Sequence, residues 1–126
     1  MKLSALANHL VDLLGFGTRL VTTDMLDFAT TAWKSSAHTT TQERLAHFDR
    51  DAAELKATIE GASWGDLGRN WQMRMGDVIY GDDLKSTLVR TSAINHIAHH
   101  RAQLGVYLRM LGIPIPGTYG PSADEK

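Results

Sequence analysis

The stretch NHIAHHRAQL, residues 95–104, holds three of the chain's six histidines. On a helix His96 and His100 stand four residues apart, so their side chains leave one face a turn apart, as two ligands of a single ion must. His99 points elsewhere. The shared face also carries Val89, Ala93, Ile97, Leu104, Tyr107 and Leu111, which directs both imidazoles toward a core. Burying two neutral imidazoles without partners would cost on the order of 1–3 kcal/mol each. A hydrogen-bonded core pair would meet that cost, and so would a shared cation, which satisfies both acceptors at once.

A divalent ion needs a third protein ligand. His9 is the favoured one, at the edge of a stripe formed by Leu6, Leu10 and Leu13. His47, beside Leu45 and Phe48, is its rival, and His38 is a third candidate. Three neutral imidazoles leave coordination positions open, the pattern of a catalytic centre rather than a closed structural one. Such an ion lowers the pKa of bound water or of a bound thiol. The chain has no cysteine, so a thiol would arrive as a cosubstrate. No inward-facing carboxylate stands out as a general base, which places thiol transfer ahead of hydrolysis. No catalytic side chain is assigned.

Gln103 and Tyr107 are the candidate cofactor-contacting residues. Gln103 lies near the histidine face, and Tyr107 follows His100 by seven residues, placed to line a pocket or to pack as core. Arg101 is read as a surface residue. Trp71, Met73 and Met75 either cover the pocket mouth or pack conventionally, and Tyr119 is expected to pin the C-terminal tail.

These residues need helices to hold them. Leucines at positions 3, 6, 10, 13 and 14 predict a first helix that Gly15 and Gly17 end. Residues 22–40 read as a connection with a turn of helix near 24–28. Thr40 and Glu43 form a capping-box pair before a second helix over about residues 41–60, stopped by Gly61. A hairpin turning at Gly76-Asp77 is a weaker expectation for 71–80. The third long helix is predicted from a cap at Asp82 or Asp83 to about Leu111, where Gly112, Pro114 and Pro116 halt it.

At 126 residues and 43% hydrophobic content, one domain over 1–126 can form a core without disulfides or a stapling metal. Thirteen Lys and Arg against 14 Asp and Glu give a net charge of −1, with no basic stripe for nucleic acid. No signal peptide or apolar span is visible, so neither a nucleic-acid nor a membrane partner is expected. A soluble cytoplasmic protein acting on a small molecule is the expectation.

The segments LANHLVDLLGFG, INHIAHHRAQLGVYLRMLGIP and IPIPGTYGPSADE together resemble the DinB/YfiT-like metalloenzyme superfamily, with the likeness running from Leu6 to Glu125. The resemblance implies an all-α four-helix bundle in which His9, His96 and His100 bind a divalent metal, zinc or nickel. It also implies chemistry with low-molecular-weight thiols, as in bacillithiol S-transferases and mycothiol-dependent isomerases. The alternative is a metal- or small-ligand-binding protein of stress response without turnover. Family members usually carry a complete helix before the one bearing the first histidine. This chain starts inside the latter, which implies a shortened N-terminus, three long helices with a long irregular connection, and an uncovered apolar face that favours a homodimer.

Overall fold

The computed structural model describes residues 2–125. In chain order the elements are α1 (Leu3–Thr22), β1 (Met25–Asp27), α2 (Thr41–Gly61), the short α3 (Trp64–Leu67), β2 (Asn70–Met75), β3 (Val78–Leu84), α4 (Lys85–Leu88), a π-helical turn (Val89–Ile94) and α5 (Asn95–Met110). The last three form one unbroken rod, so three long helical rods dominate. Among the described residues no helix is long and apolar enough to cross a membrane.

The expectation of an all-α chain is corrected by a three-stranded sheet in the order β1-β2-β3. β1 pairs parallel with β2, and β2 pairs antiparallel with β3. Residues 25–27, read as part of a connection with a turn of helix near 24–28, are a strand. The hairpin forms where expected, with Gly76 at φ 58, a backbone state that costs glycine little. Trp71 is the centre of the core rather than a cover: it is 1% exposed and clusters with Leu20, Val21, Leu26, Val89 and Ala93. Its indole N–H is satisfied by Thr23 Oγ1 at 3.0 Å, as a buried tryptophan requires.

Gly15 and Gly17 do not end α1. A Cβ on Gly15 would lie 3.0 Å from Asp51 Oδ2, and one on Gly17 would lie 3.0 Å from Leu55 Cδ2 and 3.2 Å from Ala93 Cβ. The glycines let α2 and the π-helical turn approach α1 closely. The helix ends later, at Thr23, whose N–H returns to the Arg19 carbonyl. Buried Lys85 donates from Nζ to the Val21 carbonyl at 3.1 Å and pairs with Asp24 at 3.3 Å, joining the end of α1 to the third rod.

α2 starts with the expected capping box: Thr40 accepts from the Glu43 N–H, and the Glu43 carboxylate accepts from Thr40 N–H. The third rod starts later than expected because β3 extends to Leu84. Asp82 serves the sheet instead of capping, accepting from Asn70 at 3.1 Å and Gln72 at 3.0 Å. No side chain caps Lys85–Leu88. α5 ends in a Schellman arrangement, with Ile113 N–H on the Leu108 carbonyl, Gly112 N–H on the Arg109 carbonyl, and Gly112 at φ 71. Tyr119 is fully exposed and does not pin the tail. Asp124 does so, accepting from Arg109 at 2.6 Å and from the Ile115 N–H at 3.3 Å.

Asp27 ties β1 to the hairpin. Its carboxylate accepts from Gly76 N–H at 3.0 Å and Ala29 N–H at 2.9 Å, and these bonds hold its pKa below the ordinary 3.8. A depressed carboxylate pKa contributes stability that is present above the unfolded value and lost as pH falls through the folded one. Asp27→Asn should therefore lower the thermal midpoint at pH 7, with the gap to wild type closing in strong acid. Gly17→Ala should lower stability by about 1–2 kcal/mol, because overpacking against Leu55 and Ala93 outweighs the gain in helix propensity. Thermal melts read by circular dichroism check both.

Candidate metal centre

α1 delivers His9 from between buried Leu6 and Leu10, and α5 delivers His96 and His100 from one face. The His9 ring centroid lies 5.2 Å from that of His96 and 4.7 Å from that of His100, and the latter two are 4.6 Å apart. One ligand atom from each comes within 4.8 Å of the others, and among the described residues this is the one such group. Ions with nitrogen bonds of about 2.0–2.1 Å can gather these atoms with modest ring movements.

The proton arrangement fits a cation. His100 Nδ1 lies 2.7 Å from Gln103 Oε1, an acceptor, so Nδ1 carries the proton and Nε2 keeps its lone pair. On His96 the Ser92 backbone carbonyl favours a ring N–H. With Nε2 turned toward His100, that N–H is Nδ1. The two Nε2 atoms face each other at 2.8 Å, and with both outer nitrogens protonated, two lone pairs are left in contact. A divalent ion held there would exchange that repulsion for two bonds. Burial is the main cause lowering the pKa of both His9 and His96, and neighbouring histidines lower them further. Both stay neutral donors at neutral pH.

The surroundings differ on the two sides of the triad. A cavity of about 530 Å³ has His9, His96 and Asp12 in a wall otherwise built largely of apolar side chains. On the other side Leu6, His100, Gln103, Val106 and Tyr107 line a recess of about 350 Å³. Gln103 thus orients His100, as acceptors behind metal-bound imidazoles do. Tyr107 is 41% exposed in that recess, and Leu111 is 63% exposed. α5 has no buried residue, so the face expected to look into a core is only partly covered. His99 is exposed and touches only the edge of His100, with centroids 4.9 Å apart. Arg101 is also exposed, and it donates to Thr118 Oγ1 at 3.2 Å.

The rival histidines belong to another network. His47 Nδ1 lies 2.8 Å from His38 Nε2, and His47 Nε2 lies 2.9 Å from buried Asp51, which also pairs with Arg50 at 2.7 Å. With His47 Nε2 donating to Asp51, its Nδ1 accepts from His38. Ser36 Oγ is 3.3 Å from the same Nδ1 and donates to Asp12, and the Ser36 N–H donates to Asp12 Oδ2 at 3.0 Å. Asp12 corrects the expectation that no carboxylate faces inward. Its signal was its place three residues after His9, which puts it on the same side of α1.

The model of the DinB family matches residues 1–126. The chain is 47% identical over 32 residues to the uncharacterized protein YrdA of Bacillus subtilis (strain 168), a match covering 25% of this chain and 19% of that protein's length. No solved structure gives a significant match.

Gln103→Leu removes the acceptor behind His100 at little cost in size. Zinc affinity, measured by competition with a chromogenic chelator, should fall about 10–100-fold, while the thermal midpoint of the metal-free protein stays within a degree or so of wild type, because Gln103 is exposed.

Proposed function

Because the chain belongs to the DinB family, we propose that it binds zinc or nickel through His9, His96 and His100 and acts as a transferase that joins a low-molecular-weight thiol to an electrophilic small molecule. The observation that carries the reading is the pair of Nε2 atoms of His96 and His100 held 2.8 Å apart with their outer nitrogens engaged. A divalent ion in such a site supplies Lewis acidity, which lowers the pKa of a thiol enough for its sulfur to be nucleophilic at neutral pH.

The chain's own residues do the rest. Gln103 and the Ser92 carbonyl hold the tautomers of His100 and His96. Asp12, fixed by the N–H and O–H of Ser36, stands in the cavity wall and receives the thiol proton on a carboxylate oxygen. The apolar wall excludes water from the other reactant, which favours sulfur over hydroxide as the attacking group. In the transfer a carbon–sulfur bond forms as the bond from that carbon to its leaving group breaks, and the leaving group takes the electron pair.

Elemental analysis of purified wild type and His100→Ala tests the centre: about one ion per chain is expected in the first and a small fraction of that in the second. Assays of the metal-loaded protein with bacillithiol, mycothiol and glutathione against halogenated electrophiles test the transfer. Asp12→Asn should lower kcat by about 10²–10⁴-fold with metal content retained. Full metal occupancy with no turnover for any thiol would replace this reading with that of a metal- or ligand-binding protein.

A further inference from the structure

The cavity beside the triad has a composition that selects its occupant. Five of the side chains lining it are aromatic outside the histidines, Phe16, Phe28, Trp33, Trp71 and Tyr80, and Met73 joins them. Phe16 meets Trp33 and Trp71 edge-on, with centroids 5.9 and 6.0 Å apart, so the aromatic rings form a fixed surface rather than a loose patch. Trp33 and Tyr80, 38% and 58% exposed, stand toward solvent. Among the described residues no lysine or arginine lines the space, and its one carboxylate is Asp12. An anionic group lying along the aromatic part of this wall, away from His9 and His96, would lose its hydration and meet Asp12 with no lysine or arginine in return.

We infer that the cavity is the binding site for an uncharged aromatic molecule, seated against the Phe16, Phe28 and Trp33 rings with its reactive end toward His9 and His96. Its volume of about 530 Å³ suits a molecule of one or two fused rings, within the range of ordinary ligand sites. The inference rests on the thiol-transfer reading for the role of this molecule as the electrophile, and on the cavity alone for its binding.

Gly81 keeps the space open. It pairs with Met73 across the β2–β3 ladder, and cross-strand partners share a face of the sheet, so a side chain at 81 would enter the cavity beside Met73. A Cβ there meets nothing within 4 Å, and the backbone tolerates the change.

The test is a fluorescence titration of the zinc-loaded full chain with two probes of one skeleton: uncharged N-phenyl-1-naphthylamine and its sulfonated relative 8-anilinonaphthalene-1-sulfonate. The uncharged probe should bind at least about tenfold tighter, and Gly81→Leu should weaken it by about tenfold or more, with zinc content and thermal midpoint retained. Should the leucine variant fail to fold, Gly81→Ala is expected to weaken binding by about threefold. Equal or tighter binding of the sulfonate, or unchanged affinity in the Gly81 variants, would overturn the assignment. Zinc is assayed separately and no thiol is present. Loss of zinc with the probe preference intact would thus count against the metal reading alone, and zinc binding without the preference against this one alone.

Discussion

Two imidazole nitrogens held 2.8 Å apart, with His100 Nδ1 turned to the Gln103 oxygen on the far side of its ring, are the constraint from which the site follows. Two ring nitrogens this close need a proton or an ion shared between them. Gln103 and the Ser92 carbonyl favour the tautomers that leave the lone pairs facing. Burial weakens the proton's hold on His96 and on His9, which closes the set from α1. The arrangement thereby disfavours protonation of His9 and His96 and leaves their lone pairs available to a cation.

Bringing His9 to that pair requires α1 to lie close to the third rod. The approach is set about two turns further along α1, where Gly15 and Gly17 accept Asp51, Leu55 and Ala93 against bare backbone. The same closeness lets the Asp51–His47–His38 network and Ser36 reach across to Asp12. Ser36, whose hydroxyl lies 3.3 Å from His47, is the residue that fixes the carboxylate in the cavity wall. The π-helical turn lies immediately before His96 and supplies Val89 and Ala93 to the core. Wide turns of this kind are often found at functional sites, and here it joins the packed part of the rod to its ligand-bearing part.

Much of this was legible in the residues. The four-residue spacing of His96 and His100, the placement of His9 in a leucine stripe, and the Thr40–Glu43 box all act over one or two helical turns, where side-chain direction follows from position alone. The hairpin turn at Gly76 is equally local. What was not legible depends on partners distant in sequence. β1 is three residues long and owes its existence to parallel pairing with β2, nearly fifty residues away. The glycines of α1 looked like stops because composition does not distinguish a helix end from a close crossing. The position of Asp12 on α1 gives its side of the helix, but the hold on its carboxylate comes from Ser36, a residue of the irregular connection. The outer half of α5 carries an apolar pattern that the described residues leave substantially exposed.

The centre is tested most directly by a crystal structure of the zinc-loaded protein, with anomalous difference maps at the zinc edge. The expected result is one strong peak bonded to Nε2 of His96, Nε2 of His100 and a ring nitrogen of His9 at about 2.0–2.1 Å, with at least one further position taken by a non-protein ligand. A peak between His38 and His47, or an empty triad at full zinc occupancy elsewhere, would contradict it.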